Sequence, residues 1–264
     1  MGLAIDTISG GVAIGAGPVY TTIVMSPGDS LTVRNFTPPA SCALDEVILH
    51  GTGTPVLTQI KSPMLYDNVE GIELASTDLP SVFLLPRMGQ EQLHPQDTLA
   101  VQVNGTATDV AQATLRLCYS DLPGIAARLA MWGDISSRIR HIKGIEVDVP
   151  AADVASVWED TLITVTENLL RANTDHAILG YLASAETACL AVKGQETGNL
   201  RIGFPAVTDT GFTRSYFVDW SNESGAPRIP IFNSANVNNY YVSNIDIAAT
   251  QAVTLILLVA ELAA

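Results

Sequence analysis

Ala113–Leu122 reads ATLRLCYSDL, and Val253–Leu262 reads VTLILLVAEL. Counted from Ala113 to Val253, the offset is 140 residues. Thr114, Leu115, Leu117 and Leu122 recur as Thr254, Leu255, Leu257 and Leu262, and Asp121 is answered by Glu261. A fixed offset with matched alternation marks a duplicated unit. Apolar strands also resemble one another by composition, so the segments that precede each copy must agree as well.

They do. Tyr20–Met25 leads into Pro27-Gly28-Asp29, a turn in which proline presets one dihedral and glycine permits positive φ. Leu31 and Val33 then alternate with Thr32 and Arg34. Glu46–His50, Val56–Ile60, Gly71–Leu74, Val82–Leu85 and Leu99–Val103 continue the series up to Ala113–Ser120. Leu99, Val101 and Val103 share one face, the pattern of a half-buried strand. The second series is Thr161–Thr166, Ala177–Leu182, Ala188–Val192, Leu200–Phe204, Ser215–Trp220, Ile229–Phe232, Tyr240–Ile247 and Val253–Ala260. Even Pro86, after Phe83-Leu84-Leu85, parallels Pro230 beside Ile229 and Ile231. Short strands separated by Gly, Pro, Asn and Asp turns predict an all-β chain of two tandem antiparallel β-sandwiches.

Two stretches fall outside that pattern. Residues 1–18 are small and Gly-rich, and are expected to form a flexible N-terminal arm. Their glycines do not make a G-x-G-x-x-G dinucleotide loop. In residues 123–144, Leu129, Trp132, Ile135, Ile139 and Ile142 step by three and four, which predicts a short helical connector. The expected domains are therefore the arm (1–18), a first sandwich (19–122), the connector (123–144) and a second sandwich (145–264).

Charge follows the same division. Residues 1–122 hold 12 acids and 4 bases, and residues 145–264 hold 14 acids and 5 bases. The connector has one acid and four bases, Arg128, Arg138, Arg140 and Lys143. This group is the candidate contact for an anionic membrane surface or an acidic partner, with the connector's apolar side buried. The structural alternative is a linking helix packed under both sandwiches. A net charge of −14 argues against specific nucleic-acid binding. The chain is 47% hydrophobic and only 15% charged, which suits large buried interfaces. No run of about 18 apolar residues predicts a membrane-spanning helix, and no signal peptide is expected. Asn35-Phe36-Thr37, Asn104-Gly105-Thr106 and Asn222-Glu223-Ser224 then read as chance glycosylation patterns. Cys42, Cys118 and Cys189 are odd in number and far apart, and read as small buried residues.

Catalytic constellations are sparse. A metal-dependent bicupin enzyme needs clustered His and carboxylate ligands. The chain has four histidines and no H-x-H; His50 and His176 border comparable strands and read as polar strand ends. G-x-S-x-G, C-x-x-C and H-E-x-x-H do not occur. Asp45-Glu46 and Glu159-Asp160 are adjacent carboxylates, and neighbours on a strand point to opposite faces, so both pairs read as solvated surface. Trp132, Trp158 and Trp220 fit a sandwich core better than a sugar-binding face. No catalytic residue, metal or cofactor is expected.

Two tandem sandwiches in 264 residues, with paired closing strands (Ala113–Leu122, Val253–Leu262) and a connector between them, resemble the double jelly-roll major capsid proteins. Those proteins build the shells of tailless, membrane-containing icosahedral phages and related viruses. The resemblance implies a structural, non-enzymatic subunit of the virion. It implies pseudo-hexagonal homotrimers tiling a shell, contact with a vertex protein, and an internal membrane surface as a partner. Met1–Pro18 would then be the arm, and Ser76–Pro80 and Asp219–Pro227 loops at the sandwich ends. The chain lacks the long tower loops of many members, so no receptor-binding role is implied. A carbohydrate-binding tandem sandwich and a bicupin enzyme are the alternatives.

The two closing strands differ in one respect. Arg116 and Tyr119-Ser120 stand where the second copy has Ile256 and Val259-Ala260. The second copy is therefore expected to be covered on both faces, and the first to show one face to solvent.

Overall fold

A computed structural model describes residues 2–15, 19–52, 56–63, 68–76, 80–84, 92–125, 127–163, 170–247 and 252–263. The first half carries β1 (Ala4–Ala13), β2 (Thr21–Thr22), β3 (Val24–Met25), β4 (Cys42–Gly51), β5 (Val56–Lys61), β6 (Ile72–Ser76), β7 (Ser81–Leu84), β8 (Ala100–Asn104) and β9 (Val110–Tyr119). The second carries β10 (Leu129–Ala130), helix α1 (Trp132–Ile135), β11 (Ile139–Val149), β12 (Glu159–Leu162), β13 (Asp175–Ala183), β14 (Thr187–Gly194) and β15 (Ile202–Ala206). Helices α2 (Thr210–Thr213) and α3 (Tyr216–Ser224) follow, then β16 (Ile229–Asn233), β17 (Tyr240–Ile245) and β18 (Val253–Leu262).

The strands form four antiparallel sheets, two per half, as the alternation predicts. The orders are β3-β1-β9-β4-β7 and β2-β8-β5-β6, then β10-β16-β13-β18-β11 and β12-β17-β14-β15. With β3 and β10 set aside as additions at sheet edges, each half has, among the described residues, eight strands in the same arrangement. One sheet runs 1-8-3-6 and the other 2-7-4-5. The stretches ATLRLCYSDL and VTLILLVAEL belong to the eighth strand of each.

Each sandwich closes on its own core. In the first, Ala113, Leu115 and Leu117 of β9 join Val47, Leu49, Ile60, Val101 and Val103. In the second, Leu255, Leu257 and Val259 of β18 join Val192, Phe204 and Val242. Burying one such Leu, Ile or Phe contributes about 1.5–3 kcal/mol before entropy is set against it.

The two sandwiches stack sheet on sheet. The outer face of the first half's five-stranded sheet meets the outer face of the second half's four-stranded sheet. Ile48 of β4 packs with Cys189, Ala191 and Ile245. The Thr7 N–H donates to the Arg201 carbonyl at 3.0 Å, and the Gly203 N–H donates to Thr7 Oγ1 at 2.8 Å. A Cβ at position 203 would lie 2.4 Å from Thr7 Cγ2. Glycine is what lets these backbones approach.

Two of the expected boundaries are overturned, in the same way. Residues 4–13 are not an arm but β1, paired along its whole length with β9 and buried from Ala4 to Gly11. Their small side chains do not prevent burial. They suit a strand pressed between its own core and a second sheet. Among its described residues the connector is helical only over α1 and a 3₁₀ turn at Ser136–Arg138. From Ile139 the chain is already β11, paired with β18. Each half thus begins with a strand that pairs with its own last strand. Ser215–Trp220, expected as a strand, opens α3, whose Tyr216, Phe217 and Trp220 turn into the second core. The same helix occupies most of the expected loop Asp219–Pro227. Residues 77–79 of the other expected loop, 164–166 of the expected strand 161–166, and Pro86 lie outside the described residues.

The expected burial asymmetry is reversed. Arg116 is 1% exposed, whereas Ile256 and Leu258 on the outer face of β18 are half-buried. The stacked second sandwich covers the first closing strand and leaves the outer face of the other partly open. Ile142 of β11, beside that face, is 60% exposed.

Candidate functional site

Beta-bulges build the chemistry of this molecule. β4 carries one extra residue, Asp45, against β9, between the pairs Leu44↔Leu117 and Glu46↔Arg116. A bulge re-aims the side chains beside it. Here it brings Asp45 and Glu46 to the same guanidinium, so these two carboxylates are not the solvated pair their adjacency suggests. Arg116 Nη1 lies 2.6 Å from Glu46 Oε2, and Nη2 lies 3.2 Å from Asp45 Oδ2. The second sandwich completes the shell. Arg116 donates to the Gly203 carbonyl at 3.1 Å and to Tyr216 Oη at 2.5 Å. The Trp220 ring lies 3.5 Å from its guanidinium carbon, and Trp220 Nε1–H donates to Asp45 at 2.8 Å. Arg228 adds a second cation 3.8 Å from Asp45.

Glu46 is 1% exposed and Asp45 4%, so the cluster is deeply buried, with Glu46, Tyr216 and Trp220 at the wall of a recess of about 290 Å³. Burial opposes charge on Arg116, but Glu46, with Tyr216 and Asp45, outweighs it and raises the guanidinium pKa. Burial pushes the Tyr216 hydroxyl well up. It stays protonated and donates to Glu46 at 2.9 Å. Such a cluster fixes how two layers sit. Deep burial with both carboxylates and the Tyr216 hydroxyl bonded within the chain suits a structural lock, although Arg116 Nε and Arg228 Nε and Nη1 are buried without a hydrogen-bond partner.

A second junction uses the Pro27-Gly28-Asp29 turn. Asp29 accepts from the Ser9 N–H and from Trp158 Nε1–H, each at 2.8 Å, and from Arg201 at 3.3 Å. The Arg201 guanidinium lies 5.0 Å from the Trp158 ring centre. Burial pushes the Asp29 carboxyl up, although these donors pull it down. Trp158 and Trp220 are thus buried at the junction between sandwiches, and Trp132 is half-buried beside the second core.

The basic residues lie together at one end of the second sandwich. Arg128 makes a two-point bond to Asp175, at 2.7 and 3.2 Å. Arg138 donates through Nε and Nη2 to the Ala263 carbonyl, at 3.1 and 2.8 Å. Arg140 is the extra residue of a bulge in β11, between Ile139↔Leu262 and His141↔Glu261. Lys143 Nζ reaches Glu261 at 3.4 Å. Arg138 and Arg140 line a recess of about 390 Å³ with Arg171, Asn173, Asp175 and Asn233. Arg128 and Lys143 stand outside it. Arg171 comes from the chain before β13, about 30 residues along from Arg140, and nothing in the local sequence announced it. The bond from Arg128, supported by Asn233 and the charge of Arg138, outweighs partial burial and holds the Asp175 carboxyl below its ordinary range.

The two histidines do not converge. His50 is the ninth residue of the ten-residue β4, and His176 is the second of β13. They occupy opposite ends of equivalent strands. Among the described residues no three His, Cys, Asp or Glu side chains group as metal ligands. Compared with known proteins, the chain matches no family model and no curated sequence.

Proposed function

We propose that the protein is a structural shell subunit of the double jelly-roll kind, non-enzymatic and homotrimeric, polymerising into the capsid of a virion. The observation that carries this reading is the strand order. Each half arranges its eight strands as 1-8-3-6 and 2-7-4-5, the order of a jelly roll. Two jelly rolls locked side by side are the building block of such shells.

The surface adds support. Ile142, with Ile256 and Leu258, leaves an apolar strip on the outer sheet of the second sandwich. A subunit surrounded by copies of itself covers strips of this kind, and heterologous contacts between identical chains close into rings. In this reading the partners are further copies of the chain, a vertex protein and an internal membrane surface. The buried Arg116 cluster holds the two sandwiches as one rigid tile.

Mass measurement and electron microscopy of native material test the proposal. Trimers and closed shells are the expected species. A protein that stays monomeric at high concentration, with no larger assembly in native material, would rule it out.

A further inference from the structure

Arg138, Arg140 and Arg171 face one recess in a chain whose net charge is −14. Three different local structures deliver them: a 3₁₀ turn, a β-bulge and the loop before β13. Elsewhere most of the chain's bases are matched to acids, as with Arg34 and Asp6, Lys193 and Asp160, or Arg201 and Asp29. Here the matching fails. Among the described residues neither Arg138 nor Arg140 has a carboxylate within ion-pair distance. The bonds from Arg138 to the Ala263 carbonyl satisfy donors but leave its charge. The carboxylate nearest Arg171, Glu261 at 3.7 Å, is shared with Lys143. Asp175, the one carboxylate lining the recess among the described residues, already accepts two bonds from Arg128 and one from Asn233 at 2.9 Å.

We propose that this recess binds a phosphate group. Guanidinium forks match the oxygens of oxyanions in pairs. A carboxylate offers two oxygens and one charge, which one fork uses up. A phosphate ester offers three non-bridging oxygens and up to two charges, enough for three forks approaching from different sides. The recess, about 390 Å³, admits a phosphate with part of the group that carries it. A phosphomonoester headgroup, as in phosphatidic acid, and the free anion share this chemistry.

Calorimetric titration of the whole protein with inorganic phosphate, at constant ionic strength, is the direct test. Saturable binding at one site per chain is expected. Arg140→Gln and Arg171→Gln each remove a charged donor and should weaken binding roughly tenfold or more. Arg214→Gln, an exposed change outside the recess, should leave affinity unaltered. Both recess residues are exposed, so the variants should keep the parent circular dichroism and melting point. Co-sedimentation with vesicles of phosphatidic acid in phosphatidylcholine, against phosphatidylcholine alone, identifies the source, since phosphatidic acid is a phosphomonoester. Vesicle binding that phosphate competes away and Arg140→Gln abolishes marks a lipid headgroup. Binding to phosphate alone marks a soluble ligand. Binding to neither probe, or binding that the two recess variants leave intact, overturns the proposal. A trimer that ignores phosphate refutes this site and leaves the shell reading standing, while a monomer that binds phosphate does the reverse.

Discussion

Replacing Arg116 by Leu should be among the most damaging single changes in the chain. The substitution keeps an apolar stem and removes a guanidinium that serves two carboxylates, one hydroxyl and one carbonyl, with an indole against its face. Glu46 keeps the Tyr216 hydroxyl, and Asp45 keeps Trp220 Nε1–H and the more distant Arg228. Both carboxylates are almost wholly buried in the parent. Breaking a buried pair by removing one partner costs about 3–5 kcal/mol. One cation neutralising two anions puts this case at the upper end. The separate contacts do not simply add, because they share a group. The expected loss is about 4–5 kcal/mol, a large part of the 5–15 kcal/mol typical of a folded domain. Urea titration followed by tryptophan fluorescence measures it, and Trp158 and Trp220 both report on the junction. The triple change Arg116→Leu, Glu46→Gln, Asp45→Asn should restore at least half of the loss. A single variant within about 1 kcal/mol of the parent would refute the lock, since surface pairs lose no more than that.

Gly203→Val should wedge the sandwiches apart, because its Cβ would meet the Thr7 side chain. A loss of about 1–3 kcal/mol is expected, and less for Gly203→Ala; an unchanged melting point for Val would show that the sheets have room. Cys42, Cys118 and Cys189 are buried, and burial pushes the Cys42 and Cys189 thiols up. Ellman's reagent should therefore label none in the native state and all three in denaturant, and rapid native labelling would contradict the packing. Asp175 and Asp160 are held below their ordinary range, Asp175 chiefly by Arg128, and Asp160 by Lys193 and Ser243 against the effect of burial. A depressed carboxyl contributes stability above its unfolded pKa, near 4, and loses it as pH falls through the folded value. Stability should therefore fall below about pH 4, and Arg128→Gln should flatten that fall; an equal acid slope in the variant would deny Asp175 its share.

The sequence made some elements easy to read and hid others for physical reasons. β8 and β18 show their inward faces as plain alternation, because one side of each is core and the other is not. β1 shows none, since both of its faces are buried and its small residues fit the space between two sheets. The start of β11 imitates a helix because the bulge at Arg140 shifts its period. Bulges also moved the internal alignment. Taken from Asp45 and the matching bulge at Leu179, the structural counterpart of Arg116 is Leu258, two residues from the position the sequence match suggests. The shift is even, so inward and outward faces were still assigned correctly. The four bases of the connector were visible from composition. Arg171, which shares the recess with Arg138 and Arg140, was not, because only the pairing of β11 with β18, and of β18 with β13, brings it near.

The substitution of Leu258 for an arginine bears on how many layers the molecule can have. Joining a five-stranded face to a four-stranded face is a head-to-tail rule. Applied again by the second sandwich to the first sandwich of another chain, it would run on as an endless fibre. Among the described residues the parts for that second step are absent. Its free five-stranded face presents Leu258 and Ile256 in place of a cation. Its free four-stranded face, on β5 and β8, presents Gln59, Lys61 and Gln102 in place of aromatic and glycine partners. In the shell proposed above, the stack would then end at two, and contacts between copies would come from the other surfaces.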